Sequence, residues 1–249
     1  MSAYIVTGAA GGMGSHAARI LAARGDSVLC VDRDAEGLDR LRAELGDADV
    51  AVCAADVSRE EEVRRYVDAA AERWGGVDGA FHVAGHEGAM REFLEVEAEE
   101  FDRMIAVNAR SVWYGMRYVL PLLLARGGGR IVNTGSYVAF HGTMRTAAYG
   151  AAKHAVVGMS RGVAVEFAAR GVSVNVLAPG AMDTRMAQTV WQRNAPGDPE
   201  RGRAMTLARV PSGRISDPRD VAAVGVWLLT EAPRDLTGQV VPVDGGTSS

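Results

Sequence analysis

The sequence predicts an α/β fold in which a parallel sheet is covered by helices on both faces. Three observations carry that expectation. Strand-like and helix-like patterns alternate along the whole chain. The strand-like segments are continuous apolar runs rather than alternating ones, as strands buried on both faces are. A glycine-rich turn, T-G-A-A-G-G-M-G, joins the first strand to the first helix.

In chain order, Ala3 to Thr7 (A-Y-I-V-T) is the first strand, and the glycine turn ends at Gly14. A helix follows on Ala17, Ala18, Ile20 and Leu21 to about Arg24, where Gly25 stops it. Ser27 to Val31, closed by Asp32, is strand two, and Ala35 to Leu45 the second helix. Ala48 to Cys53 is strand three, with Asp56 at its carboxyl end. Ser58 and Glu61 have the spacing of a capping box for a helix up to Trp74. Asp78 to Val83 is strand four, Glu99 to Arg126 one or two helices, and Arg130 to Thr134 strand five. Gly171 to Leu177 is strand six, Asp217 to Leu229 the last helix, and Gly238 to Val243 strand seven. Short connections up to Pro179 predict one domain over residues 1–249. The long segment from Asp183 to Pro211, rich in Arg, Met and Gly, departs from this, and long insertions of that kind are expected to act as lids.

Hydrophobic residues make up 48% of 249 residues, enough for a sizeable core. Twenty-seven basic against 31 acidic side chains leave a net charge of −4, with no block of like charge. A nucleic-acid footprint or a basic membrane patch is therefore not expected. Nor does any apolar run reach the ~18 residues of a membrane span, and no signal peptide precedes the first strand, so a cytoplasmic location is expected. Cys30 and Cys53 lie in apolar strands and read as core residues. His16, His141 and His154 lack metal-ligand spacing, and no metal is expected.

Between a strand and a helix, Gly8, Gly12 and Gly14 let the backbone turn tightly and approach a pyrophosphate at the helix N-terminus. Asp32 ends strand two, where a carboxylate accepts hydrogen bonds from an adenosine ribose. Capping the second helix is its bland role, open equally to Asp34. Asp56 is placed to meet an adenine amine, though loop aspartates are common. Farther on, Ser136 lies just past strand five, and an alanine-rich helix carries Tyr149 and Lys153 one turn apart on the same face. A hydroxyl, a phenol and an ammonium meeting at one point suit proton transfer at an alcohol oxygen. A free tyrosine titrates near ~10. A nearby lysine cation is expected to lower that value.

Taken together, T-G-A-A-G-G-M-G, Asp32, Asp56-Val57, Asn108, Ser136, Y-G-A-A-K and P-G-A-M-D-T (Pro179 to Thr184) resemble the short-chain dehydrogenase/reductase family over essentially the whole chain, including the closing V-D-G-G. The resemblance implies a Rossmann-like, doubly wound seven-stranded sheet and a nicotinamide-dependent oxidoreductase. Tyr149 would be the acid/base, Lys153 would bind the nicotinamide ribose and lower the tyrosine's pKa, Ser136 would hold the reacting oxygen, and Asn108 would hold a relay water. Asn108 interrupts the apolar run M-I-A-V-N-A, and its alternative is a satisfied core amide. On the same resemblance the cofactor contacts fall to Gly8, Gly11, Gly12, Met13, Gly14, Asp32, Arg33, Asp56, Val57, Ala84, Gly85, Tyr149, Lys153, Pro179, Gly180 and Thr184. Asp32 opposes a 2′-phosphate, so NAD is the expected cofactor.

The family's usual Asn-Asn-Ala-Gly after strand four is His82-Val83-Ala84-Gly85 here, which predicts rearranged hydrogen bonding with a structural His82. His86 is expected to be a solvated loop residue. Ser136, Val138, Phe140, His141, Tyr149, Ala181, Met182, Met186 and Trp191 are the candidate pocket wall; its apolar character suggests a medium-sized or cyclic secondary alcohol or ketone. Gly150 and Gly158, with the surrounding alanines, make a smooth helix surface, and in the family that helix packs across a subunit interface. A dimer or tetramer is expected, an internal packing role being the alternative. Two other functions fit less well: a 3-oxoacyl-thioester reductase, against which Asp32 argues, and a nucleotide sensor, which has no need of Ser136, Tyr149 and Lys153.

Overall fold

The computed structural model describes residues 2–88 and 90–249. Its strands form because consecutive apolar residues find a core on either side of the sheet. In β1 (Ala3–Thr7), Ile5 packs into one core while Tyr4 and Val6 pack into the other. The same division holds in β2 (Ser27–Asp32), where Leu29 and Val31 face one side and Val28 and Cys30 the other. With β3 (Val50–Ala54), β4 (Gly79–His82), β5 (Gly129–Thr134), β6 (Val172–Pro179) and β7 (Val240–Val243), they pair in parallel in the order β3-β2-β1-β4-β5-β6-β7.

One face is covered by α1 (Gly12–Ala23), α2 (Ala35–Leu45) and α9 (Pro218–Thr230). The other is covered by α3 (Glu60–Trp74), α5 (Ser111–Ala125) and α6 (Ala147–Phe167). A shorter α4 (Ala98–Ile105) runs into α5 through a π-helical turn, Ala106–Arg110, that carries Asn108. Strand order reverses between β1 and β4, which opens a crevice at their carboxyl ends. Thr7 closes the floor of that crevice, its Oγ1 accepting from Val83 N at 3.1 Å and Ala84 N at 3.2 Å.

Two expectations change. Ser58 and Glu61 make no capping box. Arg59 is the N-cap residue without a side-chain cap; Ser58 Oγ donates to Asp56 and Glu61 pairs with Arg59 instead. The Asp56 amide is met by Glu62, which occupies the place expected for Glu61. Secondly, the strands and the Glu99–Arg126 region differ at their ends by a few residues, as with β3, which begins at Val50 rather than Ala48. The 183–211 segment folds as a helix pair, α7 (Arg185–Asn194) and α8 (Pro199–Leu207), capped by Thr184 Oγ1 and the Asp198 carboxylate. No helix among the described residues is long and apolar enough to cross a membrane.

Candidate active site

The glycine turn is built for close approach. Gly8 has φ +69°, and a Cβ there would lie 2.8 Å from Ala84 N, so backbone from the β1 and β4 ends meets directly. A Cβ on Gly14 would lie 2.1 Å from Gly8 O, which keeps the α1 N-terminus against the turn. Thr184 reaches the same place, 3.1 Å from the Cβ position of Gly12. Gly11 and Met13 belong to this turn and the start of α1, and Gly180 packs against Asp244 after β7. Val57 is buried beyond β3, while Pro179 ends β6.

Asp32 binds the turn rather than a helix end. One carboxylate oxygen accepts from Ala10 N and the other from Asp34 N, both at 3.0 Å. Asp34 is the cap of α2, accepting from Gly37 N at 3.0 Å, so capping is not the role of Asp32. Arg33 is exposed beside it, close enough to act electrostatically on Asp56 and His86. Asp56 Oδ1 is taken up by Ser58 N and Oγ. The turn, Asp32 and Thr184 form a cradle into which an added Cβ would intrude, and this fits a dinucleotide.

Across the crevice, Ser136, Tyr149 and Lys153 come together. Ser136 is buried at the carboxyl side of β5, where its hydroxyl favours ionisation of the Tyr149 phenol. Lys153 is 3% exposed, with Nζ 5.6 Å from the Tyr149 ring centroid and 2.8 Å from the Thr134 carbonyl oxygen, to which it donates. The expected lowering of the tyrosine's pKa is reversed. Burial pushes the Tyr149 phenol above its ordinary value, the Glu87 carboxylate pushes it further, and the Ser136 hydroxyl offsets only part. Lys153 itself is brought down to about 8 by burial, against the pull of Glu87.

Asn108 is fully buried, and its amide is spent on the loop after β4. Oδ1 accepts from His86 N at 3.1 Å; Nδ2 donates to His86 O at 2.9 Å and Met104 O at 3.1 Å. The π-turn lets one side chain serve both its own helix and that loop. Its side chain therefore holds loop backbone, as a satisfied buried amide does. Gly85 must be glycine beside it, since a Cβ would stand 2.7 Å from Asn108 Oδ1.

His86 differs from expectation: it is half-buried, and its Nδ1 accepts from Gly88 N at 3.1 Å. Next to it is Glu87, whose Oε2 is buried with no hydrogen-bond partner among the described residues. Burial raises the Glu87 pKa while Arg193 and Lys153 oppose the rise. Nothing in the local pattern G-H-E-G marks this acid as half-buried. His82 lies 4% exposed in β4, with Nδ1 2.7 Å from Asn133 Oδ1, and Asn133 Nδ2 donates to Ser160 Oγ. That buried chain replaces the stitching lost with the family's asparagines.

Of the expected pocket wall, Val138 is buried beside Ser136, whereas Phe140, Met186 and His141 are exposed, His141 lying 5.9 Å from the Tyr137 ring. Met182 packs on the α1–α9 core. Trp191 is buried in the α7–α8 pair under the Arg203 guanidinium, and is helix packing rather than open wall.

Comparison with known proteins agrees over the whole chain. A family model described as enoyl-(acyl carrier protein) reductase matches residues 8–248. Levodione reductase of Leifsonia aquatica is 36% identical over 98% of this chain and 93% of its own length. A 2,5-dichloro-2,5-cyclohexadiene-1,4-diol dehydrogenase of Sphingobium indicum is 34% identical over 97% and 95%. The crystal structure of levodione reductase superposes with a TM-score of 0.96 at 37% identity, covering 99% of this chain and 97% of that one.

Proposed function

The chain belongs to the short-chain dehydrogenase/reductase family, and from that membership we propose that it is an NAD-dependent dehydrogenase/reductase of medium-sized cyclic secondary alcohols and ketones. The observation that carries the reading is the Ser136–Tyr149 hydroxyl pair with Lys153 buried behind the ring. A nicotinamide held against the glycine turn and Lys153 would supply hydride chemistry at the substrate carbon. Ser136 holds the substrate oxygen, and Tyr149 gives or takes its proton. Lys153, fixed by the Thr134 carbonyl, presents its remaining donors to the ribose. Asn108 keeps the loop backbone in register. The α7–α8 pair is a lid hinged at Thr184, where the glycine turn lies. The relatives' names supply the substrate class: one acts on a cyclohexadiene diol.

Asp32 supports NAD over NADP. Its carboxylate is anchored at the end of β2, where a 2′-phosphate would bring like charges together in a partly desolvated crevice. Arg33 beside it is exposed and softens this only weakly. We expect kcat/KM with NAD⁺ to exceed that with NADP⁺ at least ~10-fold, a ratio requiring only ~1.4 kcal/mol, and Asp32→Ala to erode it. Steady-state oxidation of cyclohexanol with both cofactors is the test, and equal use of NADP⁺ overturns the assignment. Tyr149→Phe should bind cofactor but lose ~10²–10⁴-fold in turnover. Because a 3-oxoacyl-[acyl-carrier-protein] reductase of Thermotoga maritima is 32% identical over 97% of this chain, a 3-oxoacyl thioester belongs in the same assay. Preference for it would favour the thioester reading.

A further inference from the structure

The mechanism leaves one half-buried acid unused. Glu87 lies in the loop between β4 and α4, and its Oε2 is enclosed without a hydrogen-bond partner among the described residues. Such a group is costly to bury, and native structures rarely keep one unless something else satisfies it. Nor is it misplaced by a slack loop. Asn108 grips the backbone of the preceding His86 on both sides, through its N and O. On the following side Gly88 has φ +70° and donates to His86 Nδ1, and a Cβ there would meet Met104 Cε at 2.2 Å. The loop is therefore locked with its carboxyl inward.

Four charged or titratable groups feel that carboxyl: Tyr149 and Lys153 from α6, Tyr137 from the loop after β5, and Arg193 from α7. The same loop passes Lys153, whose Nζ lies 3.5 Å from the Cβ position of Gly85, so Glu87 sits on a loop that borders the catalytic trio. No ion pair is formed with Arg193 or Lys153 within 4.0 Å among the described residues. A carboxyl held there has two modes. It accepts from a hydroxyl when ionised, and it donates to a carbonyl oxygen when protonated. One side chain thereby suits both members of an alcohol–ketone pair.

We infer that Glu87 is a specificity residue that binds a second oxygen of the substrate, so that the preferred substrates are cyclic diols, hydroxyketones or diones rather than simple cyclic alcohols. The inference rests on the function proposed above for the same site. It places the missing hydrogen-bond partner of Oε2 on the substrate, at a ring position away from the carbon that exchanges hydride.

The test uses the full-length enzyme, wild type, Glu87→Gln and Glu87→Ala, with cyclohexane-1,4-diol and cyclohexane-1,4-dione against cyclohexanol and cyclohexanone. In kcat/KM, the loss on the two-oxygen compounds should exceed the loss on the one-oxygen compounds by about tenfold or more in Glu87→Ala, as expected for a hydrogen bond to a charged group. Calorimetric Kd values for diol and cyclohexanol in the presence of cofactor should show the same difference. Glu87→Gln should melt at or above the wild-type temperature, because an acid with an unsatisfied buried oxygen is removed. Equal losses on both classes, or no diol binding, overturn the inference, as does a destabilised Glu87→Gln. Diol binding that depends on Glu87 without any turnover of a cyclic alcohol instead sinks the proposed activity and leaves the inference standing.

Discussion

As the proposed acid/base, Tyr149 would need its proton for reduction and lose it for oxidation, so its environment would set the direction that each pH favours. Burial and the Glu87 charge both raise its pKa, with Ser136 opposing. Below a raised value the protonated form dominates, so reduction should be flat across neutral pH. The base form increases with pH, so kcat/KM for oxidation should climb through at least about pH 8. Replacing Glu87 by Gln removes a negative charge, favours the phenolate and should move the oxidation profile to lower pH. Initial rates in both directions check this, and an oxidation plateau below about pH 7.5 would contradict the raised value. At this scale Tyr149 and Lys153 were legible, because a spacing of four on a helix fixes their shared face. Glu87 was not, since its burial is decided by Asn108 and Met104, which are 21 and 17 residues away in sequence.

At the level of elements, strands and helices bounded by Gly, Asp or an abrupt end of an apolar run were readable, and β1 and α2 match to the residue. The π-turn was not, because M-I-A-V-N-A has the same apolar spacing whether the helix is regular or bulged. Nor were α7 and α8, whose Arg- and Met-rich surface conceals a packing centre of one residue, Trp191. Two predictions belong here. α5 passes His82 at Gly115, where a Cβ would stand 2.4 Å from Nε2. Gly115→Ala should cost about 1–3 kcal/mol through overpacking. In the His82→Asn background, with the shorter side chain usual in the family, most of that cost should vanish. Urea titration of the four proteins measures the coupling, and additive effects would show that the contact is not the cause. Hydrogen exchange of residues 183–211 should slow when cofactor binds, because Thr184 caps α7 and touches the glycine turn. Unchanged protection would argue against a lid.

For the whole molecule, the open question is what covers α6. Added Cβ atoms at Gly150, Gly158 and Gly162 would meet nothing within 4 Å, so no internal packing explains these glycines. Each costs the helix roughly 1 kcal/mol relative to alanine, a cost that a single chain has no reason to carry. Nearby, Val165 is 84% exposed on the same helix, and Trp113 on α5 is 43% exposed. Smooth helix surface beside exposed apolar side chains is what close approach by a second copy requires, which supports the dimer or tetramer expected from the family. Gly158→Leu separates the two demands on the helix. In an isolated chain it is spacious and improves helix propensity, so fold and thermal stability of the monomer should hold. Against a second copy it blocks the approach. Light scattering after gel filtration should therefore give an oligomer for wild type and a smaller species for Gly158→Leu, with helical circular dichroism retained. A monomeric wild type, or an unaltered mass in the variant, would place the interface elsewhere.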